Sequence, residues 1–433
     1  LEQFFNRTHE IQVLRRFKGK LCVIFGRRRI GKSYLIRHFA QTGGFGARTQ
    51  VYYTQAIEGS EQLQVSQLAQ ELVPMVPDIP VTSWNALLKL LANTRTPSVI
   101  ILDEFPYFVK SQPSLPSMLQ KWMDLGDASQ PRLVLLGSSQ TMMHGLFLDS
   151  SAPLYERASE ILRVPPMSYA DFCKFSDLDP RREDSYLRFS LVGGVPKYWE
   201  YLDSESPVTQ LANELFFESG ARLESEPDRL LKDENIHGEQ AKSILEAVGR
   251  GAHRPFEIAG RLQVKQPSLS RPLQVLKDAA LVVNEKPFGE NDRSAKRSLY
   301  KIVDHSLAFW FGVYSPRRSL WLRMSEEERF DLVRKHAAQT CEWDFRRLFP
   351  DAQRYWESRL EFDSVRHADS SSRRLIVSEL KFHRLKAKER KGLLSDLAAR
   401  FKASELAKSY EAQFEVLGSD DILQALHTGS APH

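Results

Sequence analysis

Leu21–Tyr34 reads LCVIFGRRRIGKSY. Five apolar residues, Leu21 to Phe25, run straight into Gly26-Arg27-Arg28-Arg29-Ile30-Gly31-Lys32-Ser33, a full match to G-x-x-x-x-G-K-[ST], and the helical pattern YLIRHFA follows. That order predicts strand, loop and helix. The two glycines let the backbone fold around an anion with its amides turned inward, and the helix adds the positive end of its dipole. In such a loop Lys32 reaches the β and γ phosphates of ATP, and Ser33 offers its hydroxyl to Mg²⁺. The nucleotide-binding candidates are therefore Gly26, Arg27, Arg28, Arg29, Ile30, Gly31, Lys32, Ser33 and Tyr34. A chance glycine turn is the bland alternative, and the flanking strand and helix patterns argue against it.

A phosphate loop needs an acidic partner. Ser98–Phe108, SVIILDEFPYF, supplies an apolar run ending in Asp103 and Glu104. A buried parallel strand reads this way, and ligands sit at its carboxyl end. Asp103 would hold the metal shell and Glu104 would polarise the attacking water. Without the phosphate loop, the same pair would read as a solvated turn. A neighbouring strand, Arg132 to Leu136, runs into Gly137-Ser138-Ser139-Gln140, where Ser138 or Ser139 would sense the γ-phosphate. We assign the catalytic place to Ser139, with a helix cap as the rival reading. Arg157 precedes a short strand, Glu160 to Val164. It would neutralise transition-state charge on a neighbouring subunit's nucleotide, or else form a surface salt bridge.

The chain has 433 residues, more than one ordinary core accommodates, so several domains are expected. A net charge of +5 permits nucleic-acid binding without establishing it. Cys22, Cys173 and Cys341 have no metal or redox spacing, which points to reduced thiols and a cytoplasmic location. No apolar run approaches the roughly 18 residues of a membrane span, and LEQFFNRTHE carries no signal-peptide pattern. Phe5, Arg7 and Glu10 lie ahead of a short helical pattern that would pack near the nucleotide base or form a surface helix.

The order FFNRTHEI, GRRRIGKS, ILDEFPYF, LLGSS, LYERASEILRVPPMS and LVGGVPKYWEYL is similar to the archaeal-type P-loop ATPase family, relatives of the AAA+ and STAND classes. The resemblance covers about the first half of the chain. It implies an α/β core with a parallel sheet over 1–166 and a helical lid over 167–238, in which Gly193, Gly194 and Pro196 form a turn close to the nucleotide.

Beyond Gln240 come compact helices and then LVVNEKPFGENDRSAKRSLYKIVD, a hairpin with a basic tip. This succession predicts a winged helix-turn-helix over 239–315. Arg261, Lys265, Gln266, Ser268, Ser270 and Arg271 stand near the start of its recognition helix, and Lys286, Arg293, Lys296 and Arg297 on its wing. DNA contact is the first reading and protein docking the second. HSLAFWFGVY, residues 305–314, reads as a core helix.

Residues 316–433 resemble the α/β PD-(D/E)xK nuclease-like domain that accompanies such ATPases. The residues carrying this are CEWDF at 341–345, LEFDSV at 360–365 and LIVSELK at 375–381. The resemblance implies a Mg²⁺ site at Glu342, Asp363 and Glu379, with Lys381 orienting the nucleophile. On spacing alone D-x₁₅-E-x-K is a loose pattern. The basic run at 382–391 would attract a polyanion. The combined expectation is a Mg²⁺-dependent ATPase that binds DNA, with possible homo-oligomers, no membrane partner and a nuclease-like domain that either cleaves or is inert. The rival is a STAND-like ATP switch.

Overall fold

In the computed structural model the described residues are 4–73, 79–94, 96–127, 129–290, 297–357, 360–369 and 373–430. The chain forms two units: Leu1–Pro166 with Lys232–Ile236, and Met167–Leu231 with His237–His433. Among the described residues, no helix is long and apolar enough to cross a membrane.

The first unit contains α1 (Thr8–Arg16), β1 (Leu21–Phe25), α2 (Lys32–Gln41), β2 (Gln50–Gln55), α3 (Glu61–Glu71), α4 (Trp84–Ala92), β3 (Ser98–Asp103), α5 (Phe105–Ser111), α6 (Leu115–Leu125), β4 (Arg132–Gly137), α7 (Gln140–Phe147) and β5 (Glu160–Arg163). Its strands form one parallel sheet in the order β2-β3-β4-β1-β5. Every residue of β1 and β3 is buried, which is why both read as unbroken apolar runs. Leu21, Val23 and Phe25 share a core with Leu68, Trp84, Leu87, Phe105 and Leu119. Each such fully buried side chain contributes roughly 1.5–3 kcal/mol. Because β4 lies between β1 and β3, its tip stands between the phosphate loop and the acidic end of β3. The sheet therefore gathers residues from three distant stretches at one edge.

The second unit starts with α8 (Tyr169–Ser176), α9 (Glu183–Val192), α10 (Pro196–Trp199), α11 (Val208–Ala212) and α12 (Glu226–Asp233), whose last residues belong with the first unit. Then come α13 (Glu239–Gly249), α14 (Pro255–Leu262), α15 (Ser270–Asp278) and the antiparallel pair β6 (Val282–Glu285) and β7 (Leu299–Ile302). The chain continues through α16 (His305–Phe309), α17 (Ser315–Arg317) and α18 (Glu326–Arg346) to β8 (Gln353–Glu357), β9 (Leu360–His367), β10 (Arg374–Leu380), α19 (Ala387–Lys402), β11 (Glu411–Leu417) and α20 (Ser419–Thr428). The last four strands form a sheet ordered β11-β10-β9-β8, antiparallel except for the parallel pair β10 and β11.

The lid, helix-hairpin and C-terminal segments fall in this unit, apart from Lys232–Ile236 of the lid. The hairpin is not a free wing. Glu285 of β6 pairs with Arg346 of α18 at 3.0 Å in a buried setting, and Phe288 joins the core of the C-terminal sheet with Tyr355, Phe362 and Val365. Arg297 donates to the Trp356 carbonyl and lies 3.7 Å from Glu290, and Lys286 is half-buried. Arg293 and Lys296 lie outside the described residues. Residues 305–314 are a core element, with Phe309, Phe311 and Tyr314 almost wholly buried. Gly193 ends α9 at φ +59°, where a Cβ would press on the His305 ring at 3.1 Å, so both the turn and the packing require glycine.

Candidate functional site

In the phosphate loop Gly26 lies against the Val164 backbone, whose carbonyl oxygen a Cβ would meet at 2.6 Å. Gly31, at φ +95°, is the residue before α2, and Leu35 N–H bonds back to its carbonyl at 2.9 Å. Lys32 is buried. Its Nζ donates to the carbonyls of Gly26 at 2.9 Å and Arg27 at 3.1 Å, and to Ser138 Oγ at 2.9 Å. Burial lowers its pKa, and the nearby Glu104, Asp103 and Glu234 oppose that shift.

Asp103 is completely buried at the end of β3. Its Oδ1 accepts from the Glu104 amide at 2.8 Å, and its Oδ2 from the Tyr53 hydroxyl at 2.5 Å. Burial and then this hydrogen bond push the Tyr53 phenol well above its usual range, while Arg37 lies 4.2 Å over its ring. Glu104 takes a left-handed backbone, φ 54°, ahead of α5, and its Oε1 accepts from Ser138 Oγ at 2.7 Å. Lys32, Ser138 and Glu104 thus form one hydrogen-bonded chain.

Ser138, not Ser139, faces that chain, a correction to the catalytic assignment of Ser139. Alternation at the tip of β4 sends neighbouring side chains opposite ways. Ser139 caps α7 by accepting from Met142 N–H at 3.3 Å and donates to Glu234 Oε2 at 3.3 Å. Arg157 pairs with Asp124 of its own chain through two hydrogen bonds, of 3.2 and 3.1 Å, as the salt-bridge reading requires. The amino-terminal helix α1 buries one face, with Glu10, Val13 and Leu14, and exposes Thr8, His9, Gln12, Arg15 and Arg16. Arg7 is buried at φ 67° and ties Pro165 O (2.8 Å), Ile30 O (2.9 Å) and Glu10 (3.1 Å) together, fixing the loop from below. Phe4 stacks on His38 at 3.8 Å and on Tyr34 at 5.8 Å. Tyr53, Asp233 and Glu234 were not foreseen, because no motif marks a residue that touches the site from a distant strand or segment.

In the C-terminal sheet, the four residues of β9 from Phe362 to Val365 lie opposite the three of β8 from Tyr355 to Gln353, so β9 bulges beside Asp363. Bulges re-aim side chains in this way. Asp363 Oδ2 accepts from Leu380 N–H at 2.8 Å, and Arg346 donates to the Asp363 carbonyl at 2.8 Å. Burial, then Glu342 and Glu379, push the Asp363 carboxyl up to about 7. Glu342 is likewise raised by burial, with Arg346 and Lys301 opposing. The four residues expected together therefore lie in one another's field.

The expected metal arrangement is not formed: among the described residues no group of three His, Cys, Asp or Glu side chains is placed to hold an ion. Glu379 instead gives one oxygen to Lys381 Nζ at 2.6 Å and the other to Arg400 at 2.7 Å. Part of the basic run is also paired, Arg384 with Asp420 and Arg390 with Asp421, while Lys386, Lys388 and Lys391 stand exposed. Arg261 is a tie between helices, donating to Arg250 O at 2.8 Å, whereas Lys265, Gln266, Ser268, Ser270 and Arg271 are exposed together.

Residues 4–202 match a family described as an ATPase domain predominantly from Archaea. The chain is 26% identical over 449 residues to the uncharacterized protein MJECL04 of Methanocaldococcus jannaschii, covering 96% of this chain and 95% of that protein. Solved structures similar to it include the Walker-type ATPase PABY2304 of Pyrococcus abyssi, with 18% identity over 72% of this chain and 97% of that one and a TM-score of 0.49. Another is the ORC2 protein of Aeropyrum pernix in ADPNP–ADP complexes, with 14% identity, 78% and 96% coverage and a TM-score of 0.44.

Proposed function

We propose that this chain is a Mg²⁺-dependent ATPase that binds DNA. The observation that carries the reading is the chain from Lys32 through Ser138 to Glu104, at the mouth of a glycine-bounded loop. Among the described residues the direct acceptors of Lys32 are neutral, so a phosphate oxygen entering the loop would gain a charged partner by replacing Gly26 O, Arg27 O or Ser138 Oγ. Once Lys32 turns to the phosphates, the Ser138 hydroxyl is free to follow the γ-phosphoryl group and Glu104 to orient the attacking water. Ser33 and Asp103 fit a magnesium ion as hard oxygen donors, one from the first turn of α2 and one fully buried. Bound there, Mg²⁺ would neutralise phosphate charge. Nucleotide binding and phosphate release, measured with and without Lys32→Ala, test this; hydrolysis that continues at the wild-type rate in the variant would refute it.

DNA binding is supported by the exposed group Lys265, Gln266, Ser268, Ser270 and Arg271 and by Lys386, Lys388 and Lys391. A polyanion bound this way weakens steeply with salt. Strong stimulation of hydrolysis by DNA would exclude a pure ATP switch. For the carboxylate sheet we favour an inert scaffold, since Lys381 and Arg400 already neutralise Glu379. Cleavage is the second reading, favoured by the crowding of Glu342, Asp363 and Glu379. Mg²⁺-dependent DNA cleavage that vanishes in Asp363→Ala and in Lys381→Ala would select it. We place the protein in the cytoplasm, its three described cysteines being free and buried. Any oligomer would have to draw Arg157 away from Asp124 for it to act across subunits.

A further inference from the structure

Residues 232–236 belong with the first unit, although the chain on both sides of them belongs with the second. Two successive carboxylates in this segment meet the nucleotide site. Asp233 lies 2.5 Å from a guanidinium nitrogen of Arg28, inside the phosphate loop. Glu234 is buried over the start of α7, where it accepts from Thr141 N–H at 3.1 Å, from the Ser139 and Thr141 hydroxyls at 3.3 Å each, and from the Gln140 amide. This places it directly after Ser138.

The side of the site they occupy follows from their neighbours. Glu104 and Ser138 mark the end where the γ-phosphate and attacking water belong. The Tyr107 phenol, raised first by burial, lies in the field of Glu104, Arg28 and Asp233 together, and Lys32 lies in that of Glu104, Glu234 and Arg28. Glu234 has the partners of a fixed anchor. Asp233, one residue away, is thereby held on a loop arginine whose side chain is half exposed.

We propose that Asp233, anchored by Glu234, is a specificity-determining residue: it occupies Arg28 at the γ-phosphate end and sets the balance between nucleoside triphosphate and diphosphate. The inference rests on the ATPase reading. A carboxylate at this position repels the terminal phosphoryl group and competes with it for the guanidinium, whereas a diphosphate places no group there. Replacing Asp233 by Asn keeps the shape, removes the repulsion and leaves only a neutral, weaker acceptor for the guanidinium.

The test is equilibrium binding of Mg-ATP and Mg-ADP to the full chain, with fluorescent nucleotides, in wild type, Asp233→Asn, Arg28→Gln and the double variant, each checked for an intact melting transition. Asp233→Asn is expected to tighten ATP about 3- to 10-fold and ADP less than about 2-fold, as removal of one nearby like charge implies. In the Arg28→Gln background the same change should shift the ATP-to-ADP ratio less, since the two positions are coupled. An unchanged or reversed ratio in folded Asp233→Asn overturns the proposal while leaving the ATPase reading standing. Wild type that binds neither nucleotide overturns both.

Discussion

Two lysines in this chain sit among carboxylates and are treated in opposite ways. Lys32 is buried, its pKa lowered by that burial, and its direct partners are two carbonyls and a hydroxyl. Lys381 is only partly covered, and although burial opposes the shift, its hydrogen bond to Glu379 raises its pKa overall. The first ammonium keeps its charge uncompensated at contact distance, while the second is neutralised by its own sheet. An uncompensated buried cation is costly unless something anionic is meant to reach it. This contrast is why the phosphate loop is read as a working site and the C-terminal cluster as a scaffold.

The largest effect that would break the contrast concerns Lys32 itself. Lys32→Ala should lower ATP hydrolysis by about 10²–10³-fold, the scale of losing one preorganised charge-stabilising group, and abolish measurable nucleotide binding. Lys381→Ala should leave hydrolysis within about twofold. Equal losses in the two variants would mean that the partners seen at each lysine do not determine its role.

The next effect is on stability. The Asp363 carboxyl stands at about 7 against its ordinary 3.8, so between those values the folded chain binds more protons than the unfolded one. Stability must then fall as pH rises through that window and stay at the lower level above it. Asp363→Asn should remove this slope, leaving the variant more stable than wild type at pH 8 by on the order of a few kcal/mol, with the gap closing towards pH 4. Melting temperatures across pH measure it. A parallel titration with Mg²⁺ sharpens the comparison: an ion that raises the wild-type melting temperature at pH 8, but not that of Asp363→Asn, would turn the scaffold back into a candidate catalytic site.

Both sites were legible in the sequence to different depths. The loop at 26–33 and the strand ending at Asp103 could be read because a glycine pattern and an unbroken apolar run report directly on backbone geometry. The two strands carrying Asp363 and Glu379 could also be read, and they are β9 and β10, but the bulge beside Asp363 breaks the alternation that would have fixed its side. What could not be read was partner choice. Nothing in ELK at 379–381 says that Arg400, twenty-one residues on, will take the second oxygen of Glu379, because that contact is created by α19 crossing back over the sheet. The hairpin was legible only in part for a similar reason: its basic composition was visible, but not that Phe288 and Glu285 tie it to the neighbouring sheet and helix. Asp233 and Glu234 carry no motif, being acidic residues in an acidic stretch until the fold brings them to Arg28 and Ser139.

The smaller effects separate two adjacent serines. Ser138 touches both Lys32 and Glu104, so Ser138→Ala should lower the hydrolysis rate constant by about 10- to 100-fold with little change in melting temperature. Ser139 touches neither. It caps α7 and contacts Glu234, and its loss should reduce stability by about 1 kcal/mol, the usual value of an N-cap, while hydrolysis at a temperature well below the transition changes less than about twofold. The pair is a sharp control because the substitutions are chemically identical and one residue apart. If Ser139→Ala slows turnover as much as Ser138→Ala, strand alternation at the tip of β4 is not what selects the phosphate-facing hydroxyl. The hydrogen-bonded route from Lys32 to Glu104 would then have to be redrawn through the α7 cap.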